Sequence, residues 1–358
     1  MDGWQADGVG MLVAQQLVGI FAVNQIEVGP QAVRCRGFLL ARPEVALRVL
    51  RERLEPRGLY PLIQSEHEVV VVPVPRQARR AEDRVWVNAL LFLATVLTTL
   101  FVGAYHAGKD PLADWNNLWA GWPFSACILS ILVCHELGHY FTARHYGIEV
   151  TLPYFIPAPI GLGTFGAFIK MRSPVTDRKA LFDVAIAGPL AGLVLAIPIL
   201  IIGLTLSQVV PLGDRAGIGL GSPPLFSFIA ILVVGRVPEG FDVVLHPVAF
   251  AGWIGFFVTA LNLLPLGQLD GGHIAYALWG KRATHFGMAT ALVLGILGLH
   301  YWPGWLFWAF LAFVLGFRHP PLMDDVTPLD PRRRLGAYGA FILLLLLITP
   351  APFILSSG

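Results

Sequence analysis

The residues best able to do chemistry are His135-Glu136-Leu137-Gly138-His139, set in an apolar run. On a helix, positions four apart share a face. His135 and His139 can therefore offer two imidazoles to one Zn²⁺, with Glu136 beside them to take a proton from water. The preceding residues, 122–134, are almost uncharged. A hydrolytic metal centre in such surroundings implies a substrate that is in the bilayer too.

A centre of this kind usually has three protein ligands and one open position for water. The best source of the third is Asn262-Leu263-Leu264-Pro265-Leu266-Gly267-Gln268-Leu269-Asp270-Gly271-Gly272. Pro265 and Gly267 would break a helix, and Gly271 and Gly272 would keep it open. Irregular backbone at membrane depth is tolerated only where protein or a water cavity surrounds it. An intramembrane Asp such as Asp270 is a functional candidate by default; the alternative is a carboxylate capping a helix end at the interface.

These motifs need elements to carry them. Of the 358 residues, 56% are hydrophobic and 13% charged, and the mean hydropathy is +0.67. This is the composition of a polytopic membrane protein. A net charge of +2 gives no reason to expect a nucleic-acid partner. The cysteines Cys35, Cys127 and Cys134 have neither metal-site spacing nor the look of a disulfide framework, and Cys134 reads as a small core residue.

Candidate spans run over about 85–105, 119–146, 180–206, 247–279, 285–299, 303–317 and 335–355. The fourth is too long for one straight crossing and contains a break. The weaker run 223–234 reads as interfacial or re-entrant. With the N-terminus inside, fourteen Lys and Arg residues near the span ends fall on the inner side: Arg76, Arg79, Arg80, Arg84, Lys170, Arg172, Arg178, Lys179, Lys281, Arg282, Arg318, Arg332, Arg333 and Arg334. Only Lys109, Arg215 and Arg236 fall outside. The bias predicts a cytoplasmic N-terminus, with Trp119 and Trp122 in an outer aromatic belt. His135, about 13 residues past Trp122, would then lie roughly 20 Å into a core of roughly 30 Å. The centre would sit in the cytoplasmic third of the membrane.

Residues 1–84 differ from the rest. The first seven are acidic and lack the basic start of a signal peptide and the Arg/Ser-rich character of a transit peptide. The short apolar run 9–23, interrupted by Gln15 and Gln16, reads as an amphipathic helix. Residues 31–40 and 66–74 read as strands. Between them Pro43 suits a first helical turn, and Ala46, Leu47, Leu50 and Leu54 make one apolar face. The expectation is a small soluble βαβ-like domain with a basic linker, followed by a transmembrane domain over 85–358.

The two motifs, His135 to His139 and Asn262 to Gly271, resemble those of the site-2 proteases, which are intramembrane zinc metalloproteases. Gly163-Thr164-Phe165-Gly166-Ala167-Phe168-Ile169 looks like that family's membrane-associated strand, and Gly188-Pro189-Leu190-Ala191-Gly192 like its third core helix. The resemblance covers about 119–280, and Gln268 before Leu269-Asp270 is similar to the plastid-type, eukaryotic-like branch. No inserted PDZ or CBS module is visible. The resemblance implies one Zn²⁺ per chain on His135, His139 and Asp270, and Glu136 as general base. The candidate spans make the expected fold a polytopic α-helical membrane protein of about seven transmembrane helices, with a membrane-associated β-hairpin region and the small N-terminal α/β domain. The substrate would be a membrane-embedded protein cut within or near a transmembrane segment.

Asn262 would bind substrate or stabilise the oxyanion, though an Asn in a span can equally donate a hydrogen bond between helices. The segment 150–171, with Gly163 and Gly166, could accept an unwound substrate by strand addition, or be a plain interfacial hairpin. His273 could support a metal ligand from behind. His145 reads as interfacial, Asp183 as a helix-end charge, and His246 and His300 as outer-side residues. The competing reading is an inactive membrane scaffold or transporter with a structural metal. An intact Glu136 argues against it, because a structural zinc needs no adjacent base.

A reporter fused after Arg80 should read out on the cytoplasmic side; an external readout would invert the whole topology.

Overall fold

In the computed structural model, residues 6–73, 84–211, 218–317 and 319–355 are described. The linker residues Arg76, Arg79 and Arg80 lie outside these ranges, as do Arg215 and Arg318.

The N-terminal part packs α1 (Ala6–Leu17) and α2 (Pro43–Leu54) on a four-stranded sheet. The strands β1 (Phe21–Val28), β2 (Val33–Leu39), β3 (Leu59–Ser65) and β4 (Glu68–Pro73) are ordered β1-β2-β4-β3. Every pairing is antiparallel. This corrects the βαβ-like expectation: the two foreseen strands, β2 and β4, are direct neighbours running in opposite directions. The run 9–23 is also two elements rather than one helix. Gly19, at φ 79°, turns the chain after Leu17, and Phe21 opens β1. The foreseen apolar face of α2 is buried as expected. Cys35 lies in this core, where burial pushes its thiol up to about 11, so it behaves as an inert apolar side chain.

Four helical stretches among the described residues are long and apolar enough to cross a membrane. The first is α3 (Val85–His106). The second is Trp115–His145, a 3-10 turn that leads into α4 (Trp122–His145). A hairpin of β5 (Tyr154–Pro157) and β6 (Thr164–Phe168) follows and packs on α3. The third is α5 (Arg178–Thr205), with Pro189 and Pro198 inside it. β7 (Gln208–Pro211), β8 (Ile218–Leu220), α6 (Pro224–Val233) and β9 (Phe241–Val244) lead to α7 (Pro247–Leu263).

The expected span 247–279 is not a single crossing. The chain breaks at 264–269, and α8 (Asp270–Trp279) starts a new direction. A short 3-10 turn joins α8 to α9 (Ala283–His300), so that Asp270–His300 forms the fourth long stretch. α10 (Gly304–Leu315) and α11 (Pro331–Leu347) are shorter, and β10 (Phe353–Leu355) closes on β8. The expectation of about seven spans becomes four long stretches, with α6, α7 and α10 as shorter apolar helices.

α5 is the central helix, packing on α4, α7 and α8. Membrane helices gain little from the hydrophobic effect against one another, so close packing must hold them. Glycines supply it here. A Cβ at Gly203 would lie 2.0 Å from the Ala249 backbone nitrogen, and one at Gly252 would lie 2.7 Å from Leu200 Cα. At the other end of α5, Asp183 is more than a helix-end charge. Arg333 of α11 binds it at 2.7 and 2.8 Å, and the Tyr146 hydroxyl donates to it.

Gly203→Ala should lower the thermal unfolding midpoint, since overpacking costs about 1–3 kcal/mol. Gly295→Ala should leave it unchanged or raise it, because nothing lies within 4 Å of a Cβ there. Equal midpoints for the two variants would remove the seam argument.

Candidate metal centre

The i,i+4 pair of α4 points at the first turn of α8. His135 Nε2 lies 3.4 Å from Asp270 Oδ2, and His139 Nε2 lies 3.4 Å from Asp270 Oδ1. The two Nε2 atoms are 3.1 Å apart. Both histidines and Glu136 are buried, while Asp270 keeps slight exposure. This is the one His/Cys/Asp/Glu group among the described residues with metal-site geometry.

Two features test whether a metal fits. The first is spacing. Zinc–ligand bonds of about 2.0–2.2 Å put tetrahedral donors roughly 3.3–3.5 Å apart, close to the separations seen. The second is the chemistry of the donors. His139 Nδ1 is 2.8 Å from the Val184 carbonyl, which only accepts, so Nδ1 carries the proton and Nε2 of the neutral ring is a bare lone pair. Lone pairs from an imidazole and a carboxylate converging at this distance repel unless a cation lies between them. The residues present fit a zinc ion.

Local sequence makes the convergence possible. Gly138 and Gly188 sit at the crossing of α4 and α5. A Cβ at Gly138 would lie 2.6 Å from the Ala187 carbonyl, and one at Gly188 only 2.1 Å from His139 Nε2. One turn on, a Cβ at Gly192 would be 3.3 Å from His135 Cβ. Gly188 and Gly192 are thus the floor on which the two imidazoles rest. Pro189 lacks an N–H and opens the hydrogen-bond ladder of the same turn.

Asp270 is delivered by the break. Pro265, then Gly267 at φ 45°, redirect the chain. Asp270 falls in the first turn of α8, where the positive end of the helix dipole favours a carboxylate. Gly271 and Gly272 let this turn fold against the end of α7: a Cβ at 271 would lie 2.0 Å from the Leu263 carbonyl.

The other candidates divide. The Asn262 amide nitrogen is 3.3 Å from His135 Nε2, so α7 brings it to the centre. His273 meets His319, with Nδ1 2.7 Å from the partner's Nε2. Gly163, at φ 81°, presses on α3: its Cβ would lie 2.7 Å from Thr99 Cα, and its carbonyl accepts from the Thr98 hydroxyl at 2.6 Å. Gly166, at φ 97°, has open space around it, but its N–H donates to Thr164 Oγ1 at 3.0 Å. His145 is exposed at the end of α4, and His246 caps α7. Sequence reasoning missed the Val184 carbonyl, a backbone group without a residue signal. It also missed His319, a lone histidine far along the chain.

Two imidazoles, a carboxylate and a buried glutamate thus come together among apolar helices. Residues 123–297 match the family model described as Peptidase family M50. The chain is 32% identical over 356 residues to the probable zinc metalloprotease EGY2, chloroplastic, of Arabidopsis thaliana, covering 93% of this chain and 63% of the relative. It is 31% identical over 359 residues to EGY2 of Oryza sativa subsp. japonica, covering 93% and 64%. It is 35% identical over 243 residues to the probable zinc metalloprotease EGY1, chloroplastic, of Arabidopsis thaliana, covering 64% and 43%. The chain thus spans less than two thirds of the length of these curated relatives. No solved structure matches it.

Gly188→Ala should abolish zinc retention, measured by elemental analysis of the purified protein, because its methyl would occupy the space of the His139 ring. Gly192→Ala should retain most of the metal. Full zinc in the Gly188 variant would show that the ring does not rest where it is described.

Proposed function

We propose that this chain is an intramembrane zinc endopeptidase, hydrolysing peptide bonds within or near transmembrane segments of membrane-protein substrates. One Zn²⁺ per chain would be held by His135, His139 and Asp270. The observation that carries this reading is the convergence of two imidazole nitrogens and a carboxylate at 3.1–3.4 Å, with buried Glu136 adjacent in sequence. The family match and the zinc metalloprotease names of the relatives support it.

A zinc ion bound there supplies Lewis acidity, acidifying a water and polarising the scissile carbonyl. Glu136 is the general base: its carboxylate takes the water's proton and returns it to the leaving amide nitrogen. In this reading Asn262, brought near His135 by α7, would donate to the carbonyl oxygen as negative charge develops on it. The apolar walls of α4, α5 and α7 keep bulk water out, so each polar contact acts in a medium of low dielectric.

A transmembrane substrate hides its scissile amide in its own helix and must unwind first. The β5–β6 hairpin is the candidate surface for this. Phe165 and Phe168 are exposed on it, and an extended substrate could add alongside β6. Since the Gly166 N–H is already engaged, its part in this reading is the turn geometry, and Gly163 seats the hairpin on α3.

About seven crossings follow if α7 together with the break, α10 and α11 are counted with the long helices. The inner side would be the one carrying Lys170, Arg178, Lys281 and Arg333, with residues 1–84 a cytoplasmic domain and the centre in the cytoplasmic third of the bilayer. No observation favours a structural-metal scaffold.

Glu136→Gln should keep its zinc and lose about 10²–10⁴-fold in cleavage rate. Membranes carrying this variant should accumulate substrates that the wild type clears, measurable by comparative proteomics. Asp270→Asn should lose metal and cleavage together. Near-normal turnover by the Glu136 variant would assign the proton transfer elsewhere.

A further inference from the structure

α8 has ten residues and follows an irregular turn, so no helix runs straight into it, although α5 and α7 pack against it. It carries the carboxylate that must meet two histidines on α4. The segment between α10 and α11 adds polar contacts that hold two of its turns.

We propose that His319 and Asp325 are positioning residues for Asp270, gripping His273 and Tyr276 of α8 and so setting how its first turn presents the carboxylate. The inference rests on the zinc-centre reading above.

The contacts form a chain with defined donors. His319 Nδ1 lies 2.6 Å from the Pro320 carbonyl, which only accepts. Burial pushes the His319 pKa down, so the ring is neutral near pH 7. Its Nδ1 therefore bears the proton, and its Nε2 accepts from His273 Nδ1 at 2.7 Å. His273 stands one turn after Asp270 on α8. One turn further, Tyr276 stacks on the His319 ring, with centroids 4.2 Å apart and planes at 18°. The Tyr276 hydroxyl donates to Asp325 Oδ2 at 2.7 Å. Asp325 in turn is bound by Arg178 at the start of α5, which donates to its backbone carbonyl at 2.9 Å. Two successive turns of α8 are thus tied to one strap.

The strap is itself anchored. Leu322, Met323, Asp324 and Asp325 are buried. Met323 lies in the N-terminal hydrophobic core, and its carbonyl accepts from the Ile63 N–H of β3 at 2.7 Å. The Asp325 N–H donates back to the Ile63 carbonyl at 3.1 Å. On the other side, the Met323 and Asp324 N–H groups donate to the Val175 and Thr176 carbonyls at 3.0 and 2.8 Å, just before α5. The strap bridges the N-terminal sheet and the base of α5. A support fixed at both flanks can locate a ligand that its own short helix cannot.

The test uses the full chain in detergent, loaded with Zn²⁺ or Co²⁺. In His319→Ala, zinc should pass to a chelator about tenfold faster than in wild type, in line with the effect of removing a partner behind a ligand. The visible absorption bands of the Co²⁺ form should also shift. His319→Gln, whose side-chain carbonyl can still accept from His273, should restore both readouts towards wild type. Tyr276→Phe, which keeps the ring and loses the tie to Asp325, should fall between. Unfolding midpoints of the metal-free variants, measured alongside, separate a change in how the site holds metal from a general loss of stability. A His319→Ala protein with wild-type chelator kinetics and an unchanged Co²⁺ spectrum overturns the inference. A wild-type chain that takes up neither metal overturns the zinc reading, and this inference with it.

Discussion

Everything in this molecule depends on bringing three polar ligand atoms to within 3.1–3.4 Å of one another among apolar helices. Burial of polar and charged groups is costly unless each finds a partner. In a helical bundle the approach is limited by the backbones, and therefore by what the crossing residues carry at Cβ. Gly138 on α4 and Gly188 on α5 remove that limit at the crossing itself. The absence of a side chain at 188 lets the His139 imidazole occupy the gap, while the α5 backbone at Val184 orients its other nitrogen. The same device recurs between α5 and α7 at Gly203, Gly252 and Gly255. The core is a set of close crossings around α5, and the centre lies at one of them, that with α4.

The third ligand poses a different problem. α7 brings Asn262 to His135, but a continuous helix could not also bring the carboxylate eight residues later back to the same point. The chain solves this by stopping. Within 264–269, short-range bonds hold part of the backbone, such as Leu266 N–H to the Leu264 carbonyl at 2.7 Å and Leu269 N–H to the Leu266 carbonyl at 2.9 Å. Those bonds offset part of the cost of a non-helical turn among apolar helices. The reversal also turns the N-terminus of α8 towards the histidines, so that the positive end of its dipole faces the carboxylate it carries.

Much of the site was legible because its signals are local. Two histidines four apart declare a shared helix face, and Pro265 with the following glycines declares a break. Asn262 was placed near the centre by the same motif, although its role stayed open. Other features resisted because they are carried by backbone or by distant parts of the chain. Val184 contributes a carbonyl, which any residue owns. His319 and Asp325 sit in a segment with no periodicity, and their partners are 46 and 49 residues away. The N-terminal sheet was half seen for a different reason. The apolar run 9–23 crosses a turn at Gly19, so its helix and strand merged into one pattern. Over 247–279 hydropathy is continuous while the backbone is not; there the break was legible from Pro265 and Gly267, and it falls between α7 and α8.

The two ends of α5 are secured by different means. The end at Thr205 leads into β7, and small two-stranded pairings, β7 with β9 and β8 with β10, occupy that side. The end at Arg178 is held by charge. Arg333 binds Asp183 and Asp330, Arg178 binds Asp325, and Lys179 reaches Glu44 of α2 at 3.2 Å. Exposed pairs of this kind contribute little by themselves, but the half-buried Arg333–Asp183 pair cannot lose one partner without stranding the other. Through Tyr146, Arg178 and Tyr276 these charges tie together the ends of α4, α5 and α8, the three helices that carry the ligands and their floor. The polar clamp therefore stands at the end of the bundle where geometric tolerance is smallest. The opposite end, which carries no ligand, is joined instead by short strand pairs and by indole bonds to backbone, such as Trp253 Nε1–H to the Gly221 carbonyl at 2.9 Å and Trp305 Nε1–H to the Pro350 carbonyl at 2.8 Å.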